Sequence, residues 1–322
     1  MNIVYIGSGE FGINCLNALA NSGHTIRLVV TQPPQPAGRG QKTKSTPVAS
    51  WAKEQSIPFV ETDDVNSPQC LAQIHTCRCD LIVVIAFGQK IAGSLINLPP
   101  KGIINVHGSL LPKYRGAAPI NWAVINGEKQ TGISIITVVD RMDAGDILSQ
   151  AKTDIGPDET AGRLHDRLAI IAAPLLIETI DKIADGTAAY TKQDNSKATL
   201  AGKLKKSDGF LDFSLPAEIL RRKILGLWPW PGSSAVYISK NTEKPLRVSI
   251  AGAKLVENSN PASLPPGTLD ENLNVICGQD ALAITKIKPA GCHLMDFRDF
   301  INGRATSPGD MFAKIDNQDA PR

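Results

Sequence analysis

The sequence predicts an α/β protein in two parts: a Rossmann-like, doubly wound, mostly parallel sheet, followed by a small OB-like β-barrel. Three observations predict it. Strand-like and helix-like hydrophobic patterns alternate along residues 2–184, the arrangement that builds a parallel sheet through helical crossovers. The run Leu81-Ile82-Val83-Val84-Ile85-Ala86 is apolar without alternation, as a strand covered by helices on both faces must be. Beyond Phe210 the β-like runs become short and are separated by turns such as Pro265-Pro266-Gly267, the pattern of a small barrel.

The elements follow in order. A strand at 2–6 runs into Gly7-Ser8-Gly9-Glu10-Phe11-Gly12 and then a helical pattern with Phe11, Cys15, Leu16 and Leu19 on one face. The glycine spacing matches a dinucleotide fingerprint, which should be followed about 20 residues later by a ribose-binding acid. The next strand, 25–31, ends in Val29-Val30-Thr31-Gln32 without one, which favours a tight turn needing glycine for its backbone alone. Residues 32–44 are polar and glycine-rich, either a solvated loop or a mobile basic arm over an anionic substrate. A helix at 47–55, strands at 80–86 and 102–107, a helix at 117–126 and a strand at 132–139 come next. A long helix runs from about residue 160 to 184, ahead of Gly186. Residues 187–206 are polar and basic, carrying Lys192, Lys197, Lys203, Lys205 and Lys206 against Asp194. A helix at 216–225 and strands at 234–238, 246–250, 275–276 and 281–287 complete the chain. The expected division is a catalytic domain at 1–186, a basic linker at 187–206 and a β-barrel domain at 207–322.

Composition removes several classes of function. A chain of 322 residues with 42% hydrophobic and 20% charged residues is ordinary globular material, neither disordered nor membrane-spanning. No apolar run approaches the roughly 18 residues of a spanning helix, and the chain enters a strand with no basic leader, so a soluble cytoplasmic protein is expected. The net charge of +3 is too small to announce nucleic-acid binding, so any basic footprint must be local. The six cysteines are scattered, which favours reduced thiols. His75, Cys77 and Cys79 crowd together without a second ligand pair nearby, so no metal is expected.

The chemistry concentrates in residues 102–148. Asn105 and His107 lie two apart on a predicted strand, so both side chains leave one face near its carboxyl end, where ligands meet parallel sheets. An amide can stabilise an oxyanion, and an imidazole can donate to the same oxygen or move protons near neutral pH. Asp143, in Asp140-Arg141-Met142-Asp143-Ala144-Gly145-Asp146, could fix the imidazole tautomer or accept a proton through water. This set suits attack on a carbonyl. The bland alternative is a hydrogen-bonded core histidine and an aspartate in a turn before Gly145. A third reading makes Ser109, His107 and Asp143 a hydrolase triad, although Leu-Leu-Pro follows Ser109 where an exposed nucleophile turn would be needed.

The run from Asn105 to Ile120, Asn-Val-His-Gly-Ser-Leu-Leu-Pro-Lys-Tyr-Arg-Gly-Ala-Ala-Pro-Ile, together with Asp140 to Leu148, resembles the formyltransferases that use 10-formyltetrahydrofolate. Landmarks at 31–40, 83–88, 228–232 and 288–291 narrow the likeness to the subfamily that formylates initiator methionyl-tRNA. The resemblance implies direct transfer to the α-amine through a tetrahedral intermediate, with Asn105, His107 and Asp143 as the catalytic trio. It implies that Ser109, Leu110, Leu111 and Pro112 bind folate, with the backbone at Ile85, Ala86 and Phe87 lining the pterin pocket. It further implies that Arg39 meets tRNA phosphates, that Lys203, Lys205 and Lys206 touch the tRNA backbone, and that the carboxy-terminal domain binds tRNA. A monomer using no metal is expected. The sequence departs from the subfamily pattern at Gly7-Ser8-Gly9, at Gln32-Pro33-Pro34-Gln35-Pro36, which lacks the usual Asp and Arg, and at Lys205-Lys206-Ser207-Asp208-Gly209, all outside the catalytic motif.

Overall fold

The structure is a computed structural model that describes residues 1–37, 42–241, 244–257 and 264–315. The chain divides into two compact units. The first comprises Met1–Pro119, Gln130–Asp154 and His165–Gly202, and the second Ile120–Lys129, Ile155–Leu164 and Lys203–Arg322.

The first unit is built on seven strands: β1 (Asn2–Gly7), β2 (Thr25–Thr31), β3 (Phe59–Glu61), β4 (Leu81–Ile85), β5 (Ile103–His107), β6 (Gln130–Thr137) and β7 (Ile147–Asp154). They lie in the order β7-β6-β5-β4-β1-β2-β3. The five strands from β5 to β3 are parallel, and β6 and β7 add an antiparallel edge. From β1 the chain winds outward to β2 and β3, then returns to lay β4 and β5 on the other side. The direction therefore reverses between β1 and β4, whose carboxyl ends, Gly7 and Ile85, are paired. In an open α/β sheet this reversal is where a crevice forms for a ligand. The five residues of β4 are all buried, as its unbroken apolar run requires.

Within the polar segment at 32–44, Gln35–Ala37 and Lys42–Lys44 pair antiparallel, Gln35↔Lys44, Pro36↔Thr43 and Ala37↔Lys42. Arg39 lies outside the described residues. Helix Pro47–Glu54 begins under a cap, Thr46 Oγ1 accepting from Ala49 N at 3.0 Å, and Pro47 opens its first turn. Residues 187–202 belong to the first unit, and Leu200–Ala201 pairs in parallel with Arg115–Gly116.

In the second unit, β8 (Ser233–Ile238), β9 (Leu246–Val256), β10 (Val275–Ile276), β11 (Ala281–Pro289) and β12 (Met311–Ala313) form an antiparallel sheet in the order β10-β11-β9-β8-β12. Its two edges are joined by one short segment: Thr268 bridges Met311 and Leu269 bridges Val275. The sheet is thereby nearly closed, which leaves few unpaired edge groups. Tyr237, Phe297, Phe300 and Phe312 fill its core with Leu220 and Ile224 of helix Ala217–Leu227. The Tyr237 hydroxyl donates to Asp310 Oδ2 at 2.6 Å, and Asp310, fully buried, also accepts from the backbone of Lys240 and Ser307. Among the described residues no helix is long and apolar enough to cross a membrane.

Candidate active site

The β5 strand delivers Asn105 and His107 to the carboxyl end of the sheet, as the period of two requires, and a loop returning from β6 brings Asp143 to them. Asn105 Nδ2 lies 3.4 Å from Asp143 Oδ1, a long hydrogen bond, and His107 Nδ1 lies 3.7 Å from Asp143 Oδ2, an ion-pair rather than a hydrogen-bond separation. His107 is buried, and its Nε2 is 2.8 Å from the Tyr114 carbonyl. A carbonyl only accepts, so Nε2 carries a proton and Nδ1 is the nitrogen that faces the carboxylate. Gly116 N donates to Asp143 Oδ2 at 2.8 Å. Each carboxylate oxygen thus faces a donor, and Asn105 is oriented by one of them.

The expected folate loop is fixed from the antiparallel edge. Ser134 on β6 donates its hydroxyl to the Ser109 carbonyl at 2.6 Å and accepts from Leu111 N at 3.0 Å. Gln150 on β7 donates Nε2 to the Leu111 carbonyl at 3.0 Å and to Ser134 Oγ at 2.8 Å. Ser109 and Leu111 are buried, Leu110 and Pro112 half-buried, and the Leu111–Pro112 peptide is cis. At the neighbouring end of β4, Ala86 turns out to solvent with φ +48° between buried Ile85 and Phe87. The Ser109 hydroxyl donates to the Lys113 carbonyl at 2.7 Å and His107 Nε2 to that of Tyr114, so neither group is arranged for a serine nucleophile.

The glycine fingerprint has a packing explanation. A Cβ on Gly12 would run into the Tyr5 hydroxyl, and one on Gly7 into the Ile85 carbonyl, so these glycines admit the fully buried Tyr5 ring beneath the turn. Exposed Glu10 stands in that first helical turn, where a pyrophosphate would meet like charge.

Sequence reading missed a second layer of residues. Gln193 donates Nε2 to the carbonyls of Asp143, at 2.8 Å, and Gly145, at 2.7 Å. Its Oε1 accepts from Arg115 Nε at 3.1 Å and Nη2 at 2.7 Å. Burial, with Arg141 adding to it, pulls the Arg115 guanidinium below its ordinary pKa, while Asp143 acts the other way. Arg115 N donates to the Thr199 carbonyl at 2.8 Å and Tyr114 N to Thr199 Oγ1 at 2.9 Å. No pattern in a single sequence signals such pairs, which join residues 48 to 85 positions apart. Of the other expected contacts, Lys203, Lys205 and Lys206 are exposed in the second unit, and Lys205 N donates to Asp208 Oδ2 at 2.6 Å.

An amide donor, a buried imidazole and a carboxylate meet at the carboxyl end of a doubly wound sheet without an available nucleophile of their own. That is the equipment of an acyl transferase that holds donor and acceptor together and stabilises the charge between them. The formyl transferase family model matches residues 1–180 and the formyl transferase C-terminal domain model residues 203–305; the chain belongs to this family. Its relatives include methionyl-tRNA formyltransferases from Citrifermentans bemidjiense, 38% identical over 98% of both chains, and from Geobacter metallireducens, 39% identical over 96% of this chain and 97% of that one. A crystal structure of a sugar 3N-formyl transferase, in the presence of dTDP and 5-N-formyl-THF, shares the fold with a TM-score of 0.64 at 16% identity, covering 91% of this chain and 99% of that one.

Proposed function

We propose that this protein transfers the formyl group of 10-formyltetrahydrofolate to the α-amine of initiator methionyl-tRNA, as a monomer in the cytosol. The observation that carries the reading is the joint orientation of Asn105, His107 and Asp143 at the carboxyl end of β5, in a chain whose relatives at 38–39% identity over nearly their full length are methionyl-tRNA formyltransferases.

In this reading the formyl carbon sits against Asn105 and His107. The amine nitrogen attacks it, the carbonyl oxygen takes the negative charge, and the Asn105 amide stabilises that oxygen. The bond from the formyl carbon to folate N10 then breaks. The proton lost by the attacking amine reaches N10 through His107, Asp143 or a water between them, so tetrahydrofolate leaves neutral at that nitrogen. Ser109, Leu110, Leu111 and Pro112 line the folate side, and Ile85, Ala86 and Phe87 offer the pterin their backbone. A loop fastened by Ser134 and Gln150 is a rigid wall of this kind.

Residues 1–186 would act as the catalytic domain and 207–322 as a tRNA-binding barrel, with 187–206 running between them. Arg39, Lys203, Lys205 and Lys206 would meet tRNA phosphates. The test is transfer of labelled formyl from the folate to charged initiator tRNA, against uncharged tRNA as a blank. Label retained on methionine supports the reading, and no transfer at any enzyme concentration refutes it.

A further inference from the structure

We propose that Gln193 is a positioning residue for Asp143, holding the catalytic loop in its working conformation from a strap formed by residues 191–201. The inference rests on the reading of Asp143 as part of the reacting centre.

Asp143 has φ +51°, a left-handed conformation uncommon for a residue other than glycine, and here its surroundings impose it. The imposition is visible. Both amide protons of Gln193 are used, one on the Asp143 carbonyl and one on that of Gly145, so the two ends of the turn are tied to a single NH₂ group. The Gln193 oxygen is held by two guanidinium nitrogens of Arg115, which is 3% exposed and also donates Nη2 to Asn195 Oδ1 at 3.0 Å. A guanidinium only donates, so the oxygen must face Arg115 and the NH₂ must face the loop. The amide has one orientation available.

The strap carrying Gln193 is fastened at both ends. Thr191 and Ile147 exchange backbone hydrogen bonds of 2.9 and 2.8 Å at the start of β7. At the other end the Ala201 carbonyl accepts from Ala117 N at 2.8 Å, and Gly116 crosses it with φ +126°, where a Cβ would stand 2.5 Å from the Ala201 oxygen. The strap therefore sets both the backbone of Asp143, through Gln193, and the position of Gly116 N, which donates to the Asp143 carboxylate. A segment that reads in sequence as a polar linker thus fixes the carboxylate from two sides.

The test uses the full chain with 10-formyltetrahydrofolate and charged initiator tRNA. Gln193→Glu keeps the oxygens that Arg115 needs and removes the two donors. Gln193→Leu removes both functions at similar volume. Both variants are expected to lower kcat by about tenfold to a hundredfold, the scale of a displaced catalytic group, with KM for either substrate within about twofold of wild type. A purely structural role would lower Tm and leave kcat per folded molecule unchanged. Wild-type kcat in Gln193→Glu overturns the inference, and that variant carries the test if Gln193→Leu does not fold. Asp143→Asn runs beside them. If it is also fully active, the reading of the site itself fails; if it is inactive while Gln193→Glu is normal, only the positioning role does.

Discussion

Asp143→Asn is the most informative change at this site because it keeps shape and exchanges one acceptor for a donor. The carboxylate accepts from Gly116 N through Oδ2, which also faces His107 Nδ1 at 3.7 Å, and from Asn105 Nδ2 through Oδ1. An amide has one oxygen and one NH₂. With its oxygen kept on the Gly116 side, its NH₂ meets the NH₂ of Asn105, and two donors repel. Asn105 relieves this by turning its side chain over, which carries its own NH₂ away from the place where the oxyanion forms. Loss of one such donor costs about 10²–10³ in kcat, or about 2.7–4 kcal/mol of barrier. Single-turnover transfer at saturating folate and tRNA measures it directly. Asn105→Ala removes the same donor, so the double variant should be no slower than the worse single variant by more than about threefold, because both changes act through one group. Fully multiplicative losses would refute the idea that Asp143 works by orienting Asn105, as would an Asp143→Asn enzyme with unchanged kcat and a raised KM.

Two further outcomes are expected. Arg39→Ala should weaken use of charged tRNA while leaving folate binding alone, and should flatten the salt dependence of tRNA binding by about one phosphate contact; an unchanged slope removes Arg39 from the interface. In the barrel, burial pushes the Asp310 carboxyl upward, but hydrogen bonds from Tyr237 and from the Lys240 and Ser307 amides outweigh it and hold its pKa below the usual carboxylate range. Its contribution to stability is therefore present above the unfolded pKa of about 3.9 and fades as pH falls through the lower folded value. Asp310→Asn should cost about 1–3 kcal/mol at neutral pH, the scale of a buried group left unsatisfied, with the gap to wild type closing below about pH 4. Calorimetric melting across that range checks it, and a gap independent of pH contradicts it.

The parts of this molecule that were legible in its sequence are those where one periodicity decides the structure. The β4 strand could be read because it is apolar on both faces, and Asn105 and His107 could be placed together because a strand turns alternate residues the same way. The β7 strand escaped notice because Ile147–Asp154 alternates half-buried and exposed residues along an edge and has few apolar side chains to announce it. The β3 strand is only three residues long. Helix Phe297–Arg304 sits among short strands and buries only Phe297 and Phe300, too weak a stripe to stand out. The strap at 191–201 read as a tether because its work is done by one-off pairs such as Gln193 with Arg115 and Thr199 with Tyr114, which leave no repeating trace. The glycine-rich turn after β1 was legible as a turn and not as a dinucleotide site, but its reason was not: Gly7 and Gly12 have ordinary negative φ, and it is the buried Tyr5 ring and the Ile85 carbonyl that leave no room there for a Cβ.

The chemistry nearest to formyl transfer onto methionyl-tRNA is transfer of the same group to an amino sugar. One competition separates them. The enzyme is given 10-formyltetrahydrofolate carrying label in the formyl group, with charged initiator tRNA and an amino-sugar nucleotide present together. Label is expected on the methionyl amine and none on the sugar, with transfer slowed about 10²–10³-fold in Asp143→Asn. Label on the sugar alone would contradict it.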